Sequence, residues 1–447
     1  MSSALASHHN SALQTAATQA LAHAKSQGAT AAEVEVSVAI GQNVTVRLKE
    51  VETIEHNRDK ALGVTVYVGH QRGNASTTDF SAAAIARTVD AAIAIAKYTA
   101  EDTFAGLADT HRFAVAPFAD YDLHHPWQPT IEEAVLLCRE MEESAFQVDQ
   151  RIDNSEGATL STYASDFIYA NSAGFMGGYP TTRHSASVTM IASDENGMQR
   201  DYWYSVARAK NRLESAASIG QRAGQRTVSR LNAKRIATAD LPVIFDATVS
   251  PGLIGAFVGA VSGASLYRKA SFLLDSVGTE VFAKSISIYE DPFVLHGLAS
   301  GPFDSEGVAT SKRDIVKNGV LQGYFLSSYS ARKLGLESTG NAGGNHNLIV
   351  SHDDISLEAM FKKMGRGLYV TETMGHGGNG VTGDYSLGAA GFWVEHGEIQ
   401  YPVEELTIAG NLRDMFKGIV AIANDALPYG SKRVGSILID KMSVAGE

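Results

Sequence analysis

The sequence predicts an α+β fold, with helices packed on an antiparallel sheet in the N-terminal half and a β-rich C-terminal domain. Near the start, apolar residues recur at helical spacing from Leu13 to Ala24, just before Gly28. Apolar and polar residues then alternate over residues 33–40, which is typical of a half-buried strand. From Leu241 onward, short strand-like runs separated by turns dominate. Strands followed by strands, rather than alternating with helices, favour an α+β fold.

In the first part of the chain the pattern predicts an antiparallel meander followed by a helix. Gly41–Asn43 is interpreted as a turn that leads into the next strand. A second helix carries an apolar stripe from Ile85 to Ala96, with Asp79 or Ser81 as its capping residue. The strands predicted here cover residues 34–40, 44–48, 53–56 and 62–69.

Changes in composition divide the chain into three predicted domains. Prolines and polar residues over 117–129 predict a linker or long loop, and Thr130 with Glu133 forms a capping box that begins the next helix. The predicted domains are an N-terminal α+β domain (1–116), a central domain (117–237) and a β-rich C-terminal domain (238–447).

Turn residues and helical spacing locate further elements in the central and C-terminal domains. Asp194–Gly197, Asn318-Gly319 and His396-Gly397 each predict the turn of a β-hairpin. The predicted helices of the C-terminal domain cover residues 251–262, 329–334 and 357–364. No internal repeat is evident in the sequence.

The composition predicts a cytoplasmic, water-soluble protein. The 447 residues include 37 lysines and arginines against 49 aspartates and glutamates, for a net charge of −12. This acidic balance disfavours nonspecific binding to nucleic acid or anionic membranes. The single cysteine excludes an internal disulfide, and neither a signal peptide nor an apolar run long enough to cross a membrane is found.

Several long segments resemble one family of bacterial metalloproteases. The stretch Thr382–Leu412 resembles the C-terminal signature of the TldD/PmbA family, and matching segments occur at 62–67, 267–275, 302–307 and 328–336. Within the family, the chain is most similar to the PmbA (TldE) branch, known as modulators of DNA gyrase. The resemblance implies an α+β N-terminal half, a β-rich C-terminal domain and a heteromeric complex with a TldD-type protease subunit. It also implies processing of peptide antibiotics and degradation of an antitoxin.

The residues that bind zinc in TldD-type chains are missing from this sequence. Tyr267-Arg268-Lys269 resembles a family landmark that follows the zinc motif His-Glu-x-x-x-His, so Gly255–Ala260 occupies the place of that motif. Two ligands have become Gly255 and Ala260, and the general base has become Ala256; none of these side chains can bind zinc or take up a proton. We therefore predict no catalytic residue and no metal in this chain, and expect zinc in the TldD-type partner.

Histidine and cysteine patterns elsewhere do not restore a catalytic site. None of the 14 histidines pairs in a recognised metal-binding spacing. His124 and His125 are interpreted as solvated loop residues, and His346 and His352 are too far apart along a strand to share an ion. Cys138 lies on the apolar stripe of the central helix and is predicted to be a buried small hydrophobe.

A glycine-rich loop near the C-terminal signature is the best candidate for contact with substrate. Gly375–Gly380 matches G-x-G-x-x-G, but a turn and a strand follow it rather than the helix that a dinucleotide site requires. Glycines let an extended peptide backbone approach closely. The predicted residues of a substrate channel are Tyr267, Arg268, His346, Gly375, His376, Gly377, Gly380 and Asp384.

Three functions remain open on the sequence alone. The first is a non-catalytic subunit of a zinc peptidase that acts on unfolded peptides, with homodimers possible when the partner is absent. The second is an independent metallopeptidase with an unrecognised metal site, and the third is a regulatory peptide-binding protein. The basic segment 208–235, in which Arg222, Arg226 and Arg230 share a helix face, favours a solvated surface; nucleic acid is not expected as a partner.

Overall fold

A computed structural model describes residues 2–375 and 377–446 of the chain. Its helices are α1 (Ser2–Ser26), α2 (Ala82–Tyr98), α3 (Ile131–Phe146), α4 (Ala216–Ser229), α5 (Ser250–Ala260), α6 (Gly263–Tyr267), α7 (Ser328–Leu334), α8 (Leu357–Met364) and α9 (Leu412–Lys417). The strands of the first half are β1 (Ala31–Arg47), β2 (Glu50–Val68), β3 (Gln71–Thr77), β4 (Ile152–Asn171), β5 (Met176–Gly177), β6 (Thr181–Asp194) and β7 (Gly197–Ala207). Those of the second half are β8 (Ala239–Phe245), β9 (Ile288–Asp291), β10 (Arg313–Lys317), β11 (Val320–Leu321), β12 (Asn347–Val350), β13 (Gly367–Met374), β14 (Asp384–Glu395), β15 (Glu398–Asn411), β16 (Ile419–Ile422), β17 (Lys432–Arg433) and β18 (Ile437–Ala445).

The N-terminal half contains two structural units with the same element order. One antiparallel sheet has the order β3-β2-β1-β4-β6-β7, and the short β5 pairs with β4. Apart from the short β5, each unit runs helix, three strands, helix: α1-β1-β2-β3-α2 and then α3-β4-β6-β7-α4. The long strands β1 and β4 pair along the middle, from Glu33 opposite Asn171 to Val46 opposite Ala158. No repeat is evident in the sequence, because a shared backbone arrangement requires only that apolar positions correspond.

Both helix pairs cover the same face of this sheet. Val34 packs in the core formed with α1 and α2, whereas Val44 packs in the core formed with α3 and α4. The two valines are an even number of residues apart on β1, so their side chains point to the same face. Ser81 caps α2, and Thr130 with Glu133 forms the capping box of α3, as the sequence predicts.

The predicted turn at Gly41–Asn43 is wrong. Strand β1 runs straight through Gly41, which lies opposite Asn57 on β2 and Tyr163 on β4. Residues 53–56 and 62–69 likewise belong to one strand, β2, apart from Gly69 at its end. The glycine suggested a turn from its local composition, but pairing with a neighbour on each side keeps this stretch extended.

The C-terminal part is rich in strands, and its largest sheet closes on itself. The order β15-β14-β13-β8-β18-β16 includes an additional pairing of β15 with β18, so five of these strands form a ring. A second sheet has the order β11-β10-β9-β12-β17. The predicted hairpins at Asn318-Gly319 and His396-Gly397 are confirmed by the pairs β10–β11 and β14–β15. The predicted α+β fold, with an antiparallel sheet first and a strand-rich part after it, is therefore confirmed.

The basic face of α4 is a solvated surface only in part: Arg222 is exposed, as predicted, whereas Arg226 and Arg230 are half-buried. The Arg222 guanidinium lies 3.6 Å from the centre of the Trp203 ring. Arg226 pairs with Asp201 at 3.2 Å, and Arg230 pairs with Glu372 of β13 at 2.5 Å. Asp201 lies on β7 and Glu372 on β13, so the local run of positive charge does not reveal that Arg226 and Arg230 are neutralised. The Arg230–Glu372 pair joins the end of α4 to the C-terminal part.

Among the helices of the described part, none combines the length and the apolar character needed to span a bilayer.

Candidate functional site

Helix α5 lies where the family resemblance places the zinc motif, and its side chains are small or apolar. Leu253, Ile254 and Phe257 are buried in the C-terminal core. On the other side of the helix, a side chain added at Gly252 or Gly259 would meet open space. Leu253, Ile254 and Phe257 therefore hold the helix in the core, while the opposite face, from Gly252 to Gly259, carries no large side chain; we call it the bare face of α5.

A lysine lies against this helix. A Cβ atom built on Gly255 would be 3.8 Å from the Cε atom of Lys432. Lys432 comes from β17, is half-buried, and has its pKa lowered by desolvation of the ammonium group. A cationic side chain beside Gly255 opposes the binding of a second cation there.

The residues of α5 do not fit a zinc ion. Gly255, Ala256 and Ala260 carry no donor atom, and Ala260 is fully packed in the core. Among the residues that the structure describes, one group of three histidine and carboxylate side chains converges closely enough to hold a metal ion, and none of its members belongs to α5. No zinc chemistry can be derived from this helix.

Hydrogen bonds connect the end of α5 to the glycine-rich loop. The Ser271 hydroxyl donates to the Ala260 carbonyl at 2.6 Å, and the Phe272 amide donates to the Gly380 carbonyl at 2.9 Å. Arg413, next to the start of α9, donates to the Phe272 carbonyl and lies over its ring. The C-terminal end of α5, the 267–272 stretch and the loop over residues 375–384 are thus neighbours in space.

Within this 375–384 loop, the glycines have different roles. A Cβ atom on Gly377 would be 2.0 Å from Leu387 Cγ, so only a glycine at this position can pack against Leu387 of strand β14. A Cβ atom on Gly378 would meet nothing within 4 Å, and one on Gly380 only the Ala270 carbonyl at 3.8 Å. The exposed positions Gly378 and Gly380 are therefore the ones where an incoming peptide backbone has room.

The end of the loop is held by polar contacts to the family signature. Asp384 is exposed; its carboxylate accepts from the Thr382 hydroxyl at 2.6 Å and from the Asn411 amide at 3.2 Å. Asn411 also donates to the Thr382 carbonyl at 3.2 Å. Gly375 has a φ of +96°, which suits glycine at the bend that leads out of β13. His376 lies outside the described residues.

Tyr267 and Arg268 lie at the end of α6, a few residues before Ser271 and Phe272. The Tyr267 ring makes an edge contact with Tyr329, at 5.7 Å between ring centres. Arg268 is exposed, and its Nε donates back to the Ala264 carbonyl at 2.8 Å.

His346 lies in a different environment. Its two ring nitrogens face the carbonyl oxygens of Ala299 at 3.2 Å and Gly340 at 2.9 Å, and its backbone amide donates to Glu290 at 2.7 Å. Through these contacts His346 links the loop that contains Ala299 to the loop that contains Gly340, which is a structural role.

A group that spacing does not reveal lies where the linker meets the C-terminal part. Asp122, His125 and His296 place their ligand atoms within 4.8 Å of one another; we call them the linker cluster. The interpretation of His125 as a solvated loop residue is wrong, since its side chain is 30% exposed and pairs with Asp122. His124 is also half-buried, and desolvation lowers its pKa. No sequence signal connects residue 125 with residue 296.

Cys138 is a packing residue, as predicted. Its side chain is completely buried on α3, and its Sγ lies 3.6 Å from the Val44 carbonyl. Burial raises the pKa of the thiol to about 12, so the reactive thiolate is strongly disfavoured at neutral pH.

A groove of about 560 Å³ borders the 375–384 loop through Asn411. Its walls include the three carboxylates of Asp240, Asp414 and Asp440 and the two ammonium groups of Lys417 and Lys441. Lys441 pairs with Asp240 at 2.9 Å. The pKa of Asp240 is lowered, first by its hydrogen bond from Ser443 and then by Lys441. The groove is polar, with a small excess of negative charge.

Fold and sequence together define a metallopeptidase family. Models of the PmbA/TldA metallopeptidase match the chain in three parts: domain 1 at residues 32–96, the central domain at 124–231 and the C-terminal domain at 238–446. The chain belongs to this PmbA/TldD family.

Curated relatives and solved structures agree with this assignment. The chain is 49% identical to the Escherichia coli O157:H7 metalloprotease PmbA, covering 96% of this chain and 94% of the relative. It is 46% identical to the Haemophilus influenzae metalloprotease PmbA homolog, covering 100% and 98%. A Bacteroides thetaiotaomicron crystal structure named as a modulator of DNA gyrase superposes with a TM-score of 0.92 at 26% identity, covering 97% and 99%. TldE from Thermococcus kodakarensis shares the fold, with a TM-score of 0.83 at 20% identity and coverage of 96% and 100%.

Proposed function

We propose that this chain is a non-catalytic subunit of a TldD/PmbA-type zinc metalloprotease complex that degrades or processes small unfolded peptides and proteins. The single observation that carries the proposal is α5, where Gly255, Ala256 and Ala260 replace the ligands and the base of the family's zinc motif. In a TldD-type partner, zinc would activate water and polarise the scissile carbonyl.

This chain would contribute a wall of the substrate chamber. The exposed backbone at Gly378 and Gly380 is accessible to an extended peptide, and Asp384 and Asn411 hold the loop in position. An extended peptide that binds beside strand β14 would do so mainly through its backbone, which fits action on unfolded chains of varied sequence. Antitoxin degradation and maturation of peptide antibiotics are the processes we propose for the complex, acting in the cytoplasm.

The bare face of α5 suits a structural role beside a partner's active site. Between Gly252 and Gly259 the helix presents backbone rather than side chains, so another surface can approach closely. Lys432 places a positive charge at the same face. We propose that this region contacts the TldD-type subunit, and that homodimers form when that subunit is absent.

The test is a peptidase assay with purified, tag-free chains. This chain, a TldD-type chain with an intact His-Glu-x-x-x-His motif, and their mixture are each incubated with an unfolded peptide. We expect no cleavage by this chain alone and cleavage by the mixture. Replacing the motif glutamate of the partner by glutamine is the matched control and should abolish cleavage by the mixture.

The two alternative functions give different outcomes in the same assay. Cleavage by this chain alone, lost on chelation, would make it an independent metallopeptidase. Peptide binding by this chain with no effect on cleavage by the partner would make it a regulatory peptide-binding protein. Mass measurement of the mixture in solution then reports the stoichiometry of the complex.

A further inference from the structure

The linker cluster brings two imidazoles and a carboxylate together from distant parts of the chain. Asp122 Oδ1 lies 3.1 Å from His125 Nε2, and Asp122 Oδ2 lies 3.1 Å from His296 Nε2. The rings of His125 and His296 are 5.0 Å apart between their centres. Imidazole nitrogen and carboxylate oxygen are donors that divalent first-row transition ions accept.

The spacing suits a single ion. With metal–ligand bonds of about 2.0–2.1 Å and tetrahedral angles, two ligand atoms lie about 3.4 Å apart. The two Asp122–histidine separations of 3.1 Å involve different oxygens of the carboxylate; with one ligand atom from each of the three residues, all the atoms lie within 4.8 Å of one another. An ion could therefore bind after small side-chain movements, without rearrangement of the backbone.

The backbone of each ligand residue is held in place. The His296 amide donates to the Tyr121 carbonyl at 2.9 Å, which ties it to the residue before Asp122. The His125 amide donates to the Thr182 hydroxyl at 2.9 Å, and its carbonyl faces His184 Nε2 at 2.9 Å. These contacts hold the backbone at His125 and His296, and within the cluster the His125 Nε2 also lies 3.1 Å from the Asp122 carbonyl oxygen.

Burial differs across the cluster in a way that leaves one side open. The side chain of His296 is 15% exposed, that of His125 30% and that of Asp122 53%. An ion can enter from the solvent side at Asp122. Three protein ligands leave a fourth position for water, as in zinc sites with an open coordination position.

We infer that the linker cluster is a binding site for one divalent transition-metal ion, such as Zn²⁺, which ties the 117–129 linker to the C-terminal part of the chain. Two ligands come from the linker and one from the loop before β10. The inference goes beyond the proposed function, and it replaces the expectation from histidine spacing that the chain holds no metal. It concerns a site distinct from α5, whose residues cannot bind zinc.

The test is a titration of the tag-free, chelator-stripped chain with Zn²⁺, followed by calorimetry. We expect one saturable site per chain, and a rise in melting temperature on addition of Zn²⁺. Titration with Co²⁺ should give the visible absorption bands of a low-coordinate site. His296→Gln, His125→Gln and Asp122→Asn should each lower the affinity at least about ten-fold, because even residues that only support ligands cost 10–100-fold.

Matched controls separate the cluster from other histidines. His124→Gln changes the neighbour of His125, and His8→Gln with His9→Gln removes the adjacent pair near the N-terminus; all should bind Zn²⁺ like the parent chain. The inference is overturned if the parent chain shows no saturable one-to-one binding, or if the double variant His125→Gln/His296→Gln binds as tightly as the parent. In that case the cluster is only a carboxylate that pairs with two imidazoles through hydrogen bonds. The titration needs no partner and no peptidase activity, so its result is independent of the proposed function.

Discussion

Helix α5 and the linker cluster are the two regions that bear on metal binding in this chain, and they differ both in sequence spacing and in donor atoms. The 255–260 segment of α5 is contiguous in sequence and occupies the place that the family resemblance gives to a zinc motif, yet its side chains have no donor atoms and a lysine lies beside it. The linker cluster joins residues that are far apart in the sequence and share no motif, yet its three donors converge. The comparison teaches that a position in the sequence does not by itself supply a metal site: donor atoms must converge in space, and at the linker cluster they come from distant parts of the chain.

The largest effect is expected from rebuilding the motif in α5. In the triple variant Gly255→His, Ala256→Glu and Ala260→His, the last change forces an imidazole into a site that is 2% exposed. Overpacking costs about 1–3 kcal/mol and an unpaired buried polar group about 1–3 kcal/mol more. We expect the free energy of unfolding, measured by denaturant titration, to fall by roughly 2–6 kcal/mol, with no peptidase activity gained.

The control for this variant is Gly259→His on the open face of the same helix, where a side chain meets nothing within 4 Å. It should leave the stability close to that of the parent chain. Peptidase activity of the triple variant without a partner would contradict the difference drawn between the two regions, because α5 alone would then be enough for catalysis.

The next effect concerns the loop that α5 supports. Gly377→Ala places a Cβ atom against Leu387 and should lower the free energy of unfolding by about 1–3 kcal/mol.

Gly378→Trp has room and should fold normally, but it should block peptide cleavage by the mixture with a TldD-type partner. Gly378→Ala is the matched control for size. Full cleavage by the tryptophan variant, with assembly intact, would remove the loop from the substrate path.

A smaller effect should sharpen the account of the linker cluster. Thr182→Val removes the hydroxyl that accepts from the His125 amide and donates to the Arg208 carbonyl at 2.7 Å. Thr182 is completely buried, so the amide loses its partner and stability should fall by about 1–2 kcal/mol. The Zn²⁺ affinity should fall by about ten-fold, as expected for a residue that positions a ligand. An unchanged affinity in a folded variant would show that the linker backbone does not orient His125.

The smallest effect is the pH dependence contributed by Lys432 beside α5. Burial lowers the pKa of this ammonium group below its ordinary value, so the unfolded chain binds the proton more tightly than the folded chain. Between the folded and the unfolded pKa, stability therefore rises with pH. Lys432→Met should remove this rise, so the parent chain should gain stability relative to the variant as the pH increases toward 10.5. A constant difference in unfolding free energy across that range would mean that Lys432 is as well solvated in the folded chain as in the unfolded one.

Local elements were largely predictable because their signals are short-range. The capping box of Thr130 and Glu133 and the turns at Asn318-Gly319 and His396-Gly397 depend on residues a few positions apart, and each is present. Gly41 was mispredicted because strand pairing on both sides outweighs a local turn preference. Arg226 and Arg230 were mispredicted because the carboxylates that neutralise them lie on other elements.

The sequence by itself determined the family, the α+β class and the absence of donor atoms from the 255–260 segment, since these depend on residue identity along the chain. Only the tertiary structure decided that Gly377 packs on Leu387, that His346 braces two loops, and that Asp122 and His125 meet His296. The physical reason is that ligation, ion pairing and packing depend on distances between atoms. Such distances are set by strand pairing and by the folding of the linker onto the C-terminal part, and no spacing along the chain encodes them.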